Sequence, residues 1–182
     1  MKNKVVYEAK INKKATNLVM NMLSKLYDNP EAAILREYVD NAYNANANAN
    51  ATKPVEVHLP EKKAPYLSIK DYGDGLDFTS IIAMFANFGV PNQNDDELLN
   101  NFNKGPKTAI AVSNNIEVTS VNNGVLNKLL LKHTKNTISA RFLIKDEPTT
   151  EKSGTNIVID FYDKIDKFCI WFYGYKEFMT EK

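Results

Sequence analysis

One predicted helix carries a carboxylate and two amides at a spacing that would let them contact one ligand. In the stretch ILREYVDNAYNA, Glu37, Asn41 and Asn44 stand at positions i, i+4 and i+7, which share one face of a helix. A carboxylate can act as a general base, and amides offer hydrogen-bond donors and oxygen ligands. A solvated polar face without any chemistry fits the same pattern. Three apolar residues are predicted to form a separate face of this helix: Leu35, Val39 and Ala42.

A second candidate site follows a short predicted strand and has the pattern DxGxG. The strand ends at Asp71, and Gly73 and Gly75 follow at alternating positions. Glycines leave the backbone open to close approach, so a flat ligand could lie against this loop and hydrogen-bond to the Asp71 carboxylate. A hairpin turn explains the same residues equally well.

Two further motifs have residue types suited to a phosphate or to a polar ligand edge. Gly105 and Lys107 open a short predicted helix, whose amide groups and positive dipole end favour an anion, and the Asn-rich stretch before it could fold over a ligand. Ser153, Gly154 and Thr155 precede a late strand, where their hydroxyl groups could meet a polar ligand. Taken singly, each motif also fits an ordinary helix start or a tight turn.

The elements that would position these motifs follow from hydrophobic periodicity and turn residues. Asn29 is predicted to cap the helix that begins at Pro30, and Asn122-Asn123-Gly124 predicts a β-hairpin, because Asn and Gly accept positive φ. Helices are expected over residues 16–27, 30–45, 78–88, 108–112 and 163–178. Strands are expected over residues 55–59, 66–70, 116–121, 125–132, 137–144 and 155–161, with an edge strand or arm within residues 1–10.

This order of elements predicts an α+β fold in two layers, with helices on one face of a mixed, mostly antiparallel sheet. One domain is expected over residues 1–182, because this length suits a single domain and no linker or internal repeat interrupts it. Apolar residues make up 43% of the sequence, which is enough for a packed core and excludes disorder for most of the chain.

Charge and cysteine content exclude several functional classes. The formal net charge is +1, from 23 basic and 22 acidic residues, so there is no strong signal for a nucleic-acid surface. The single cysteine allows no internal disulfide and no zinc-site spacing, which favours a reducing compartment. Because the sequence has neither an apolar leader nor a run of about 18 apolar residues, we expect a cytoplasmic protein without a membrane span.

Asparagine is unusually frequent, with 23 residues and a run NANANANA that begins at Asn44. Coding bias of an AT-rich genome is the simpler explanation, since Lys and Ile are also common. Asparagine nevertheless tolerates a left-handed backbone, so it can stand in loops where other proteins use glycine.

Taken together and in this order, the four motifs resemble those of the GHKL ATPases, the superfamily of gyrase-type topoisomerases, ninety-kilodalton heat-shock chaperones, histidine kinases, mismatch-repair ATPases and microrchidia proteins. The shared order is ExxxN on a helix, DxGxG after a strand, a glycine-bearing lid that leads into a helix, and GT before a late strand. The resemblance extends over about residues 16–178. Within the superfamily, the stretch SKLYDNPEAAILREYVDNAYNA is most similar to the rapid-lysis (rIIA-type) proteins of tailed phages, which implies a host-cytoplasmic location if the chain is phage-encoded.

The resemblance implies a Bergerat-type ATP-binding fold with a lid over about residues 87–105, ATP and Mg²⁺ as cofactors, and a role for each motif. Glu37 would be the general base that polarises the attacking water, and Asn41 would ligate the Mg²⁺ that bridges the phosphates. Asp71 would accept the amino group of adenine. The other residues would hold the nucleotide: Gly75 and Thr155 at the base, Gly105 and Lys107 beside the phosphates, Gly73 in the DxGxG loop, and Asn44 on the helix face of Asn41.

Two departures from the family pattern bear on activity. Asn101 and Asn103 stand where the lid usually has glycines. In gyrase-type and chaperone relatives a following domain supplies a basic residue to the γ-phosphate, and the sequence has no counterpart, so hydrolysis is expected to be slow or to need a partner.

Two hypotheses follow from these motifs and departures. The first is a Mg²⁺-dependent ATP-binding domain with slow hydrolysis, which acts with a protein partner or as a nucleotide-gated homodimer. The second is a degenerate GHKL-like binding module that contacts a host or defence protein, with nucleotide as a structural ligand or absent. Glu37 and Asn41 favour the first hypothesis. The two departures favour the second.

Overall fold

A seven-stranded sheet, covered by helices on one face, forms the body of the protein. The computed structural model describes residues 7–26, 28–88 and 105–162. The strand order is β1-β6-β5-β4-β7-β3-β2, and all six pairings between these strands are antiparallel. The strands are β1 (Glu8–Ile11), β2 (Glu56–His58), β3 (Tyr66–Lys70), β4 (Asn115–Asn122), β5 (Val125–His133), β6 (Ile138–Pro148) and β7 (Gly154–Asp160). The predicted two-layer α+β fold is confirmed, with its described sheet antiparallel throughout.

The core lies between the helices and the alternating inward-facing side chains of the strands. The helices are α1 (Lys13–Leu26), α2 (Pro30–Asn48) and α3 (Phe78–Ile81), together with a 3₁₀ helix (Gly105–Ala111). The helical side of the core includes Val19, Leu23, Ile34, Tyr38, Ala109 and Ile110. The sheet side includes Leu67, Ile69, Ile116, Val118, Leu129, Leu131 and Ile159.

Helix α2 begins as the sequence predicts. The Oδ1 atom of Asn29 accepts a hydrogen bond from the Ala32 N–H at 3.0 Å, and Pro30 occupies the first helical position, where its missing N–H costs nothing. The helix continues to Asn48, three residues past the predicted end. Asn50 then adopts a φ of +51°, the left-handed conformation expected of asparagine at such a position.

The buried face of α2 differs from the prediction. Ile34, Tyr38 and Ala42 are buried, whereas Leu35 and Val39 are only partly buried. The two sets differ by one residue in phase, which is about 100° around a helix, and both are apolar enough to pack. Contact with the sheet and the 3₁₀ helix therefore selected the face that carries the large Tyr38 ring.

The helix predicted over residues 78–88 was wrong in its second half. Only α3 (Phe78–Ile81) is α-helical, and a π-helical turn (Ile82–Ala86) follows before the chain leaves the helix at Asn87. The predicted helix over residues 108–112 is the 3₁₀ helix, which begins three residues earlier. Both changes occur next to the predicted lid, where residues 89–104 lie outside the described part of the chain, as does the helix predicted over residues 163–178.

The predicted hairpin between β4 and β5 is confirmed. Asn123 and Gly124 have φ values of +50° and +75°, as a two-residue type I′ turn requires. A wider irregularity lies between β5 and β6, where the register shifts near Lys128 and Asp146 adopts a φ of +50°.

One buried hydroxyl group on α1 predicts a stabilising substitution. Thr16 is 1% exposed, and its Oγ1 atom has no hydrogen-bond partner among the described residues. A buried polar group without a partner costs about 1–3 kcal/mol, so Thr16→Val is expected to raise the free energy of unfolding by about 1 kcal/mol. Thr16→Ser, which keeps the hydroxyl and loses the methyl group, is the control and should be destabilising. Urea denaturation measures both variants, and a Val variant less stable than the wild type would contradict the prediction.

Candidate functional site

A cavity of about 310 Å³ opens between the C-terminal half of α2 and the sheet. Its walls differ in character, because apolar side chains line the inner part and polar ones gather at the mouth and at the ends of β3 and β7. The apolar lining includes Ile69, Leu76, Met84, Phe85 and Ile157. The polar lining includes Asn41, Asn44, Asn48, Asp71, Asp74 and Thr155. Such a cavity suits a flat ring that needs a few fixed hydrogen bonds.

Asp71 is the most constrained polar group of the cavity. It is 7% exposed, and its Oδ1 atom accepts hydrogen bonds from the N–H groups of Gly73 at 3.0 Å and Thr155 at 3.1 Å. Burial raises the pKa of this carboxyl above its usual value, and the two N–H bonds oppose that shift. Within the described residues these bonds use Oδ1 alone, so Oδ2 remains available to a ligand donor.

The two glycines after Asp71 permit close contacts rather than a hairpin. The chain does not turn back to pair with β3, whose neighbours are β2 and β7. Gly75 has a φ of +73°, and a Cβ atom there would lie 1.9 Å from the Val121 carbonyl oxygen. A Cβ atom on Gly73 would lie 2.8 Å from the Ala45 carbonyl oxygen. The loop is therefore held between α2 and β4, as a preformed wall of the cavity.

Ser120 on β4 is a contributor to the site that sequence reasoning missed. It is fully buried, and its Oγ atom accepts a hydrogen bond from the Leu76 N–H at 2.7 Å and lies 2.9 Å from the Thr155 Oγ1 atom. Ser120 thus joins the DxGxG loop to the start of β7. The available signal was a small polar residue at an inward position of a strand that is otherwise apolar on that side.

Asn46 was also missed, although it belongs to the NANANANA run. Its Oδ1 atom accepts a hydrogen bond from the Tyr72 N–H at 2.6 Å, and its Nδ2 atom donates to the Lys53 carbonyl oxygen at 2.9 Å. Because Asn46 follows Tyr38 and Ala42 on the buried face of α2, it holds the loops after α2 and β3 together. The helical phase of 38, 42 and 46 was the signal that could have found it.

At the other end of α2, Glu37 and Gly105 meet. A Cβ atom on Gly105 would lie 2.6 Å from the Glu37 Oε2 atom, so a larger residue there would require the end of the Glu37 side chain to move. The Tyr38 hydroxyl donates to the Pro106 carbonyl oxygen at 2.5 Å and fixes the start of the 3₁₀ helix against α2. The Glu37 side chain is about one-third exposed and lies 3.8 Å from the exposed Arg36 guanidinium.

Lys107 lies inside the protein. Its side chain is 0% exposed and is not part of the cavity wall. Burial lowers the pKa of its ammonium group to about 8, because desolvation disfavours the charged form. The expected contact of Lys107 with phosphates therefore stays a prediction.

Two loops approach α2 closely at different points, so the site extends along the axis of this helix. Gly73 lies against Ala45, and Gly105 lies against Glu37. Eight residues of helix separate these points, which is about 12 Å. The cavity itself brings together five predicted residues: Asn41, Asn44, Asp71, Gly75 and Thr155. Glu37 and Gly105 form a second group about two helical turns before Asn44, while Gly73 and Lys107 are not among the residues that line the cavity.

Few side chains of the site could ligate a metal ion, and those that could would do so through oxygen atoms. The described residues contain no group of three or more His, Cys, Asp or Glu side chains that could hold a metal ion. Mg²⁺ differs from most metals because it keeps several waters and uses one or two protein oxygens plus phosphates. The exposed Asn41 amide, one turn from the Glu37 carboxylate, fits that requirement.

The fold and site agree with a comparison against known families. Residues 27–163 match the family of histidine kinase-, DNA gyrase B- and HSP90-like ATPases. The match covers most of the chain, so the protein belongs to this family, the GHKL ATPases, whose domain binds ATP. No curated protein sequence matches the chain. Among the described residues, no helix is long and apolar enough to cross a membrane.

The buried Lys107 predicts a specific dependence of stability on pH. Its pKa of about 8 in the folded protein lies below the ordinary value of 10.5, so the unfolded chain binds more protons between these values. The free energy of unfolding should therefore gain a contribution from Lys107 as the pH rises through this window. Lys107→Met should remove that gain and stabilise the protein at pH 7 by about 1–3 kcal/mol.

Urea denaturation gives the free energy of unfolding of the wild type and of Lys107→Met at pH 7 and pH 10. The difference between the two proteins at each pH isolates the effect of Lys107, because the contributions of other titrating groups cancel. Lys132→Met, at an exposed position of β5, controls for the loss of one positive charge. An equal difference between wild type and Lys107→Met at the two pH values would contradict the prediction.

Proposed function

We propose that the chain binds Mg·ATP in the cavity beside α2 and hydrolyses it slowly. The observation that carries this proposal is the buried Asp71 carboxylate, held by two backbone N–H groups in the wall of an apolar cavity. The family membership supports ATP as the ligand. The individual residue roles are proposed from the family pattern together with the arrangement of this chain's own residues.

The inner end of the cavity suits adenine. Asp71 accepts a hydrogen bond from the exocyclic amino group, since an ionised carboxylate can only accept. Thr155, whose N–H binds this carboxylate, also lines the cavity, and Ile69 and Ile157 offer apolar contact to the ring. Guanine is disfavoured, because it presents a carbonyl oxygen where adenine presents the amino group.

The phosphates would then extend along α2 from Ala45 toward Glu37. The contacts at Ala45 and Glu37 are about 12 Å apart along the helix. A nucleoside triphosphate needs about this length from its base to its terminal phosphate. Asn41 would offer its carbonyl oxygen to Mg²⁺, which when bound neutralises phosphate charge. Glu37 would orient a water molecule at the end of this line and take its proton.

Slow turnover is proposed because the described part of the cavity wall carries no cation. No lysine or arginine is among the described residues that line it. A positive side chain at the γ-phosphate contributes about 10³–10⁵ to the rate in other nucleotide hydrolases. A protein partner, or a second copy of the chain, is the proposed source of such a group.

The similarity to phage rapid-lysis proteins stays a prediction.

A thermal melt tests nucleotide binding. A ligand present at about 100 times its dissociation constant adds about 2.7 kcal/mol, so Mg·ATP or Mg·ADP should raise the melting temperature by roughly 5–10 °C. GTP should produce a smaller shift, because guanine presents a carbonyl oxygen to the Asp71 carboxylate where adenine presents its amino group. If no adenine nucleotide shifts the melt at millimolar concentration, the binding-module hypothesis replaces this proposal.

Two conservative variants separate binding from chemistry. Asp71→Asn keeps an oxygen for the Gly73 and Thr155 N–H groups, but it sets a donor against the adenine amino group. Affinity for ATP should fall about ten- to a hundredfold. Glu37→Gln keeps the shape beside Gly105 and removes the base, so ATP should still bind while turnover drops about a hundredfold or more.

Calorimetric titration with Mg·ATP and a phosphate-release assay measure both effects on the same protein samples. Asp74→Asn, a carboxylate at the exposed edge of the cavity, is the control for Asp71, and Glu31→Gln in the first turn of α2 is the control for Glu37. Equal phosphate release from wild type and Glu37→Gln, with ATP bound to both, would show that the nucleotide is a structural or switching ligand.

A further inference from the structure

The asparagines of the NANANANA run have three different structural roles. Asn46 is buried and holds two loops together, and Asn50 adopts the left-handed conformation after α2. Asn44 and Asn48 are exposed and line the cavity. Neither of these two amides makes a hydrogen bond within the described part of the chain. They are one turn apart on the same helix, so their amide groups lie next to each other.

The depth of the cavity indicates which part of a bound nucleotide would lie beside these two amides. Asp71 and Thr155 at its inner end are 7% and 6% exposed, so the base enters first and the atoms attached to it remain at the mouth. Asn41, Asn44 and Asn48 form the α2 side of that mouth, and the phosphates take the direction of Asn41 and Glu37. The sugar is the part of a nucleotide left between the buried base and the phosphates.

We propose that Asn44 and Asn48 form a sugar-recognition edge that binds the 2′- and 3′-hydroxyl groups of a ribonucleotide. This inference rests on the proposed nucleotide binding and adds the class of nucleotide selected. An amide both donates and accepts, which matches a pair of neighbouring hydroxyl groups that each do the same. Two amides one turn apart can therefore engage both hydroxyls without any charged group.

The predicted consequence is a preference for ribonucleotides over deoxyribonucleotides. A neutral hydrogen bond at a partly exposed site contributes about 0.5–1.5 kcal/mol, so ADP should bind about three- to tenfold more tightly than 2′-deoxy-ADP or 3′-deoxy-ADP. The Asn44→Ala/Asn48→Ala double variant should bind the three nucleotides with nearly equal affinity. Alanine is a better helix former than asparagine, and both positions are exposed, so this variant should fold.

Isothermal titration calorimetry with the three diphosphates measures the affinity ratios without interference from hydrolysis. The ratio is independent of the folded fraction, because all three ligands meet the same protein population. Asn46→Ala is the matched control from the same run, since it should weaken all three nucleotides together and leave their ratios unchanged. Asp74→Asn tests a polar group at the mouth that lies outside α2, and it should also leave the ratios unchanged.

The outcomes separate this inference from the proposed function. Equal binding of ADP and deoxy-ADP by the wild type overturns the sugar-recognition edge and leaves nucleotide binding intact. Unchanged ratios in the double variant, or loss of discrimination in Asp74→Asn instead, overturn it in the same way. Absence of any ADP binding overturns the proposed function and this inference with it.

Discussion

The pairing of the Asp71 carboxylate with two backbone N–H groups is the interaction on which the rest of the site depends. It joins the end of β3, the DxGxG loop and the start of β7 through a single oxygen. An ionised oxygen that accepts two N–H bonds is fixed in direction, and such charge-assisted bonds are stronger than neutral ones. The carboxylate can therefore remain buried in an apolar cavity and still present its second oxygen to a ligand.

Helix α2 connects the Asp71 end of the site to the Glu37 end. The same helix contacts the DxGxG loop through Ala45 and Asn46, and it contacts the segment after the predicted lid through Glu37 and Tyr38. A helix is nearly incompressible along its axis, so the number of residues between Glu37 and Ala45 fixes the spacing of these two contacts. This explains how one helix can combine a structural amide, cavity-lining amides and a carboxylate within ten residues.

The buried Lys107 carries a desolvation cost in the segment after the predicted lid. An ammonium group inside the protein loses its hydration, and the lowered pKa reflects that cost. Its burial also leaves the described cavity wall without a cation.

Local sequence determined much of the fold and the chemistry. Capping by Asn29 and Pro30, the Asn-Gly turn of the hairpin and strand alternation depend on near neighbours only, so residue types and spacing predict them. The ExxxN, DxGxG, lid and GT motifs were sufficient to predict the GHKL family, because their order along the chain reflects one shared arrangement. The spacing of Glu37, Asn41 and Asn44 likewise follows from helix geometry, although their roles remain predictions.

Only the tertiary structure decided which of several equally apolar or polar residues turn inward. It selected Ile34 and Tyr38 rather than Leu35 and Val39 for the core, and it replaced half of a predicted helix with a π-helical turn. It also distinguished the structural Asn46 from the cavity-lining Asn44 and Asn48, and it buried Lys107 and Ser120. These choices depend on contacts between elements far apart in sequence, which periodicity within a single element does not encode.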